Sequence, residues 1–266
     1  MYAVIAGSRS GLAQAAIGRL LEAGYTVFEG DLSIKENEVR GNEHLVHLDV
    51  TDDSSLEAFR DYVMRFTDRI DILSDFAGLV VLGSFVEMPY NTMDRILSVN
   101  FLAVFKLSNL FFPLLEKGHG RIINISSEYA RIPAIPIHGY YPLTKHAVDF
   151  YTDSLRRELI SSPVSVTAIR PGAFRTSMQG GIDASFDALL SETKRYKRFL
   201  RLLRPLMDGE LRKAKDPSLF ASCYMKAASD KRPRRYYNVG NSLKMKLLRF
   251  VPSSIQDLAY RILIGK

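Results

Sequence analysis

The 266-residue chain is expected to form an α/β fold: a doubly wound, seven-stranded, mainly parallel sheet with helices on both faces. Short apolar, β-branched runs alternate with stretches of helical periodicity, and the first run ends in a glycine turn that opens a helix. Crossovers of right-handed sense then place helices on both faces of one sheet. Open α/β sheets of this length fold as one unit, so a single domain over residues 1–266 is expected.

Residues 2–7, YAVIAG, read as a buried strand ended by glycine. A helix is expected over 11–23, with Leu12, Ala16 and Leu20 on one face and Gly24 as its stop. Strands follow at YTVFEGD (25–31) and, after a polar, glycine-containing connection, at LVHLDV (45–50). Leu56, Phe59 and Val63 mark a helix over 53–66, and DILSDFAG (71–78) is the fourth strand. Met93, Ile96, Leu97, Asn100, Val104 and Leu107 keep helical spacing through 91–115, before a fifth strand, GRIINIS (120–126). The long helix containing YYPLTKHAVDFYTDSLRREL (140–159) leads to a sixth strand, VSVTAI (164–169). Beyond Pro171-Gly172 the pattern loosens. GGIDAS (180–185) reads as a flexible loop and RYKRFLRLLRPL (195–206) as a basic amphipathic helix with an apolar stripe of Phe199, Leu202, Leu203 and Leu206. PSLFASCYMKAAS (217–229) suggests another helix, RRYYNVG (234–240) the seventh strand, and SSIQDLAYRILI (253–264) a closing helix. Residues 179–215 are expected to cover the substrate, with 240–266 as a C-terminal extension of the same domain.

Composition narrows the setting. A single cysteine, Cys223, supplies neither a disulfide framework nor a zinc site, which fits a reducing, cytoplasmic compartment. The opening residues run straight into a strand, leaving no room for a targeting peptide. No apolar stretch is read as reaching the roughly 18 to 20 residues that cross a bilayer. The net charge of +7 is uneven: residues 194–266 hold 19 Lys and Arg against 5 Asp and Glu, a surplus of 14. Such a surface suits anionic lipid, an anionic ligand or an acidic partner, or is a solvated basic face without one.

The turn Gly7-Ser8-Arg9-Ser10-Gly11-Leu12-Ala13 sits where a strand becomes a helix, the place where an open sheet holds a dinucleotide pyrophosphate. Asp31 ends the next strand, where a carboxylate accepts the ribose hydroxyls of NAD and repels the 2′-phosphate of NADP. Arg9 points the other way, since a cation in the loop could meet that phosphate. NAD is therefore favoured over NADP. Asp49 and Val50 close the third strand on the same sheet edge; the acid suits an adenine contact or, equally, a helix N-cap, itself or through Thr51.

Tyr141 and Lys145 are four apart and share a helix face. At about 4 Å and an effective dielectric near 20, a unit charge pair is worth roughly 4 kcal/mol, enough to draw a phenol down from about 10 toward neutrality. That would suit Tyr141 to proton transfer. Tyr140 has only Thr144 at this spacing. Such a pair arises by chance on many helices; what singles this one out is NISS, which ends the fifth strand with Ser126 and Ser127, and Asn100, set in the apolar run ILSVNFLAVF.

Together these motifs resemble the short-chain dehydrogenase/reductase family over about residues 1–178, with YTDSLRREL (151–159) and RPGAFRTSM (170–178) most similar to its hydroxysteroid and retinol dehydrogenase branch. The resemblance implies a Rossmann-type oxidoreductase with Tyr141 as general acid/base. Lys145 tunes it and holds the nicotinamide ribose, Ser127 orients the substrate oxygen, and Asn100 holds a water in the proton relay. Cofactor contacts fall to Gly7, Arg9, Ser10, Gly11, Leu12, Asp31, Asp49, Val50, Ala77, Gly78, Tyr141, Lys145, Pro171, Gly172, Phe174 and Thr176. Three departures stand out. Ala13 replaces a glycine, Asp75-Phe76 replace two asparagines that brace the sheet, and the interval from Ser127 to Tyr141 is one residue longer than the family's commonest spacing, which leaves Ser126 as a rival.

The implied reaction interconverts a secondary alcohol and a ketone on a hydrophobic, steroid-like substrate, walled by VVLGSFVEM (80–88) and the apolar residues between Phe186 and Met207. Alternatives are a small hydroxy acid or 3-oxoacyl thioester held by C-terminal arginines, and a dinucleotide sensor without turnover. Residues 195–206 and SLKMKLLRF (242–250) could rest on an anionic membrane. No nucleic-acid motif accompanies the basic region. The family resemblance implies a homo-oligomer, a dimer or tetramer paired through the helices holding Asn100 and Tyr141.

Overall fold

A strand between two helical layers buries both its faces, and the short apolar runs do so: Ala3, Val4, Ile5 and Ala6 are all fully buried. The computed structural model describes residues 1–176 and 178–265; Ser177 of the RPGAFRTSM segment lies outside them. In chain order the elements are β1 (Tyr2–Ala6), α1 (Gly11–Glu22), β2 (Thr26–Asp31), β3 (Glu38–Arg40), β4 (Glu43–His47), α2 (Asp53–Met64), β5 (Ile72–Asp75), α3 (Asn91–Leu97), α4 (Ala103–Gly118), β6 (Arg121–Ile125), α5 (Tyr140–Glu158), β7 (Ser165–Pro171), α6 (Met178–Glu192), α7 (Lys197–Leu211), α8 (Pro217–Ser229), β8 (Tyr236–Val239), α9 (Leu243–Leu248) and α10 (Ser253–Ile264).

They build one eight-stranded sheet in the order β3-β4-β2-β1-β5-β6-β7-β8. Every pairing is parallel except β3 with β4. Successive side chains of β1 face opposite layers. Ala3 and Ile5 pack with Ala16, Leu20, Phe220 and Tyr224 of α1 and α8. Val4 and Ala6 pack with Phe59, Leu107 and Phe111 of α2 and α4. The expected doubly wound architecture is therefore present. β1 has β2 on one side and β5 on the other, so the winding reverses there and opens a crevice at the carboxyl ends of the strands.

Three features differ from the sequence reading. The eighth strand is β3, inside the segment read as a polar connection. Glu38, Val39 and Arg40 are all exposed and form a hairpin edge with no apolar alternation to announce it. GGIDAS lies within α6 rather than in a flexible loop. Phe186 and Leu189 bury that helix against Leu82, Ile137, Phe199 and Leu200, and such packing outweighs the roughly 1 kcal/mol that each glycine costs a helix. Finally, Asn91–Gly118 is one helical rod of 28 residues, long and apolar enough by composition to cross a membrane, contrary to expectation. Here its Ala103, Leu107, Phe111 and Leu115 lie buried against the sheet.

Candidate active site

The glycine turn leaves β1 with Gly7 at φ +65°, the left-handed region that favours glycine. A Cβ there would lie 2.2 Å from the Ala77 amide nitrogen, so only glycine lets the turn reach the segment after β5. Ser10 caps α1, accepting from the Ala13 N–H at 3.2 Å, and Ala13 is buried without disturbing the helix. The N–H groups of Gly11 and Leu12 stand in the first turn of α1, where no helix carbonyl reaches them, so they suit an anion. Leu12 itself packs on the core beside α1. Thr176 lies against Gly11, where a Cβ would meet its Cγ2 at 2.9 Å. At the end of β2, Asp31 accepts from the Arg9 N–H at 2.9 Å and from the Ser33 backbone and hydroxyl, while the Arg9 side chain is exposed.

Asp49 accepts from the Thr51 N–H at 2.9 Å and from its hydroxyl at 2.7 Å. Neither residue caps α2: Asp52 does, accepting from the Ser54 N–H, which corrects the expected cap because the helix starts at Asp53 and Asp52 is the residue directly before it. Val50 is buried beside Leu48 and Phe59. Across the crevice Gly172, after Pro171, meets the Gly240 carbonyl so closely that a Cβ would lie 2.3 Å away, and Phe174 is buried on Phe220. Gly7 and Gly11, Ala77 and Gly78, and Gly172 and Thr176 thus follow the carboxyl ends of β1, β5 and β7, the end of the sheet where the winding reverses. An anionic, ribose-bearing dinucleotide fits this glycine cradle, with Asp31 at one end and Lys145 at the other.

The expected asparagine bracing is made differently. Asp75 accepts from the Ala77 N–H at 2.8 Å, and its buried Oδ2 meets no hydrogen-bond partner among the described residues. Phe76 inserts between Phe220 and Tyr224, with ring centroids 5.8 Å from each.

Tyr141 and Lys145 stand in the first two turns of α5. Ser127 ends the sixth strand segment and accepts from the Tyr129 N–H at 3.2 Å; its hydroxyl also lies beside the Tyr141 phenol. Ser126 points elsewhere. It donates to Asp149 at 2.6 Å, and Asp149 pairs with the buried Arg170 at 2.6 Å, so Ser127 is the serine at the site. Asn100 lies in a π turn, Ser98–Leu102, between α3 and α4. Its amide bonds the Leu79 backbone in both directions, at 2.8 and 2.9 Å, and donates to Thr144 at 3.1 Å. Those bonds clamp α5 to the segment after β5 through the Asn100 side chain.

The Lys145 ammonium donates to the Ile125 carbonyl at 2.8 Å and lies 5.8 Å from the Tyr141 ring centroid. Burial pulls its pKa down, while Asp75 and then Asp149 pull it up. The lowered phenol expected from Lys145 is not found. Burial raises the Tyr141 pKa and the Glu128 charge adds to the rise, with the neighbouring Ser127 hydroxyl opposing them, while the Lys145 ammonium is turned toward the Ile125 carbonyl. Tyr140 packs on Phe85, with centroids 4.6 Å apart, and takes no part in the cluster. The sequence reading missed Tyr129 and His138. His138 lies in the irregular segment before α5, where helical spacing gives no cue, yet its ring stacks 6.4 Å from that of Tyr141.

The family profile described as short chain dehydrogenase matches residues 1–185. The 3-ketodihydrosphingosine reductase of Bacteroides thetaiotaomicron is 26% identical over 264 residues, covering 97% of this chain and 96% of that protein. Retinol dehydrogenase 7 of Mus musculus is 28% identical over 277 residues, covering 96% of this chain and 86% of that protein. Among solved structures, a short chain dehydrogenase/reductase from Burkholderia phymatum in complex with NAD aligns with a TM-score of 0.77 at 20% identity, over 97% of this chain and 94% of that one. A family match that runs from β1 into α6, with the tyrosine, serine and lysine of its motif gathered at one point, places the chain in the short-chain dehydrogenase/reductase family.

Proposed function

We propose that the protein interconverts a secondary alcohol and a ketone on a large apolar, steroid-like substrate, using NAD in preference to NADP. The observation that carries this reading is the desolvated group of Tyr141, Ser127 and Lys145 beside an apolar cluster of Leu82, Ile137, Phe186, Leu189, Phe199 and Leu200. A nicotinamide dinucleotide would be held by the glycine turn, Asp31 and Lys145, and would supply the hydride chemistry. Ser127 hydrogen-bonds the substrate oxygen. Tyr141 gives that oxygen a proton in reduction and removes it in oxidation. Glu87 ties the two apolar walls together, accepting from the Thr193 hydroxyl at 2.6 Å. The two relatives named above carry in their names a retinol and a ketodihydrosphingosine, both alcohols or ketones of apolar lipids.

Reduction of apolar ketones, followed by NADH absorbance, is the direct test. Tyr141→Phe should lower kcat by about 100-fold or more while NADH affinity holds, and Tyr140→Phe should leave both unchanged. Equal losses in the two variants would misplace the acid/base. Turnover confined to small keto acids or 3-oxoacyl thioesters would move the substrate to those classes. The NAD preference is supported by the Asp31 carboxylate. Asp31→Ala is expected to weaken NADH by about 10-fold or more and NADPH far less; a larger loss for NADPH would reverse the preference.

Two surfaces extend the proposal. Between α4 and α5, Phe101, Phe105, Phe150 and Tyr151 form an apolar face, with Phe150 77% exposed, which supports pairing of two copies. Light scattering should give a dimer or larger, and Phe150→Glu should shift it toward monomer; a wild-type monomer would exclude this pairing.

The second surface is C-terminal. Leu243 and Leu247 of α9 and Phe250 just beyond it are exposed, as are Ile255, Leu258 and Ile262 on α10. The opposite side of α10 packs through Tyr260, Leu263 and Ile264 on the apolar cluster of α6 and α7. Two copies of a region with a surplus of 14 positive charges would repel each other, whereas an anionic bilayer attracts it at about 1 kcal/mol per basic residue near the surface. Sedimentation with phosphatidylcholine vesicles should require added phosphatidylserine, and Phe250→Glu with Leu258→Glu should abolish it. Equal binding to neutral vesicles, or none at all, would remove the membrane from the proposal.

A further inference from the structure

Two separate penalties fall on adjacent residues next to the phenol. Both ring nitrogens of His138 are buried, and neither meets a partner among the described residues. An unpaired buried polar group costs about 1–3 kcal/mol, and native folds rarely leave one. Ile137, immediately before it, holds φ +70°. For a β-branched residue that conformation is an outlier, costing about 1–3 kcal/mol where the surroundings enforce it. Gly83 enforces it: its N–H donates to the Ile137 carbonyl at 2.7 Å, and the same glycine bridges to His138. The result is an imidazole pinned between two rings, 4.7 Å from Tyr129 at 77° and 6.4 Å from Tyr141 at 29°.

A phenyl ring would fill this space without unpaired nitrogens, so packing does not account for histidine here. A ligand does. Any molecule whose oxygen reaches Tyr141 and Ser127 brings its next few atoms alongside His138.

We propose that His138 binds substrate, hydrogen-bonding a hydroxyl on the carbon next to the reacting one. The substrate class is then an apolar ketone or secondary alcohol with a vicinal hydroxyl. This inference rests on the alcohol and ketone chemistry proposed above and deepens it. Burial lowers the His138 pKa to about 4, so the ring is neutral and offers one donor and one acceptor, as a hydroxyl requires. Leu82 and Ile137 line the same neighbourhood and disfavour a charged group.

The test uses the full chain with NADH and a matched pair: methyl decyl ketone, and the same ketone hydroxylated on its methyl carbon. Wild type should favour the hydroxyketone. His138→Phe should lower kcat/KM for it by about 10-fold or more, chiefly through KM, and change the plain ketone by less than about 3-fold. His138→Asn, which restores a donor and an acceptor, should recover part of the loss and stands in if the Phe variant does not fold. Equal loss on both ketones would overturn the assignment in favour of a structural histidine. If wild type reduces neither ketone, the proposed activity fails, and quenching of bound NADH fluorescence decides His138 by itself. Tighter binding of the hydroxyketone that disappears in His138→Phe upholds the site, and equal affinity for the pair overturns it.

Discussion

The buried ion pair of Arg170 and Asp149 holds the catalytic helix in place, and the rest of the site depends on it. Arg170 projects from β7 and lies over the Tyr236 ring of β8, 3.2 Å from its centroid. Asp149 projects from α5, and its second oxygen takes the Ser126 hydroxyl from the end of β6. The buried carboxylate therefore joins α5 to β7 and to the end of β6, and Arg170 extends the link to β8 through the Tyr236 ring. A buried pair of this kind adds little net stability compared with apolar packing, but each partner left alone is costly. What the pair supplies is registration. Lys145 lies one turn before Asp149 and Tyr141 one turn before Lys145, so fixing one carboxylate sets the height of both above the sheet.

That arrangement explains the difference between expectation and outcome for the phenol. Helical spacing places Tyr141 and Lys145 on one face, and they do share it. It says nothing about what surrounds them. In the folded protein the ammonium is turned to the Ile125 carbonyl, with Asp75 and Asp149 acting on it, and Tyr141 is enclosed. Burial then governs the phenol, as it governs Tyr129 and His138.

Much of the fold was legible because each central strand is a short apolar run bounded by glycine or a polar turn, and each crossover has a buried stripe. The glycine turn, Asp31, Asn100, Ser127, Tyr141 and Lys145 were legible by their order along the chain. What escaped was whatever depends on distant partners. β3 is exposed on all three residues, and only its pairing with β4 defines it. α6 is helical because Phe186 and Leu189 find Leu82 and Ile137, residues far away in sequence. Ser126 and Ser127 are adjacent, and only Asp149 tells them apart. The long rod of α3 and α4 has a composition shared by membrane spans and core helices, so composition could not state its role.

The β3 hairpin has a further effect on how the protein shares a crowded solution with copies of itself. A parallel sheet left open beside β4 would present a row of unsatisfied amides and carbonyls to any extended chain. β3 covers that row with only three residues and runs against the direction of the others. Glu38 and Arg40 pair along its exposed side through two short hydrogen bonds. So short and charged a border gives an incoming strand almost nothing to align with. The sheet stops growing at this edge, and a flat template for fibrous aggregation is closed off.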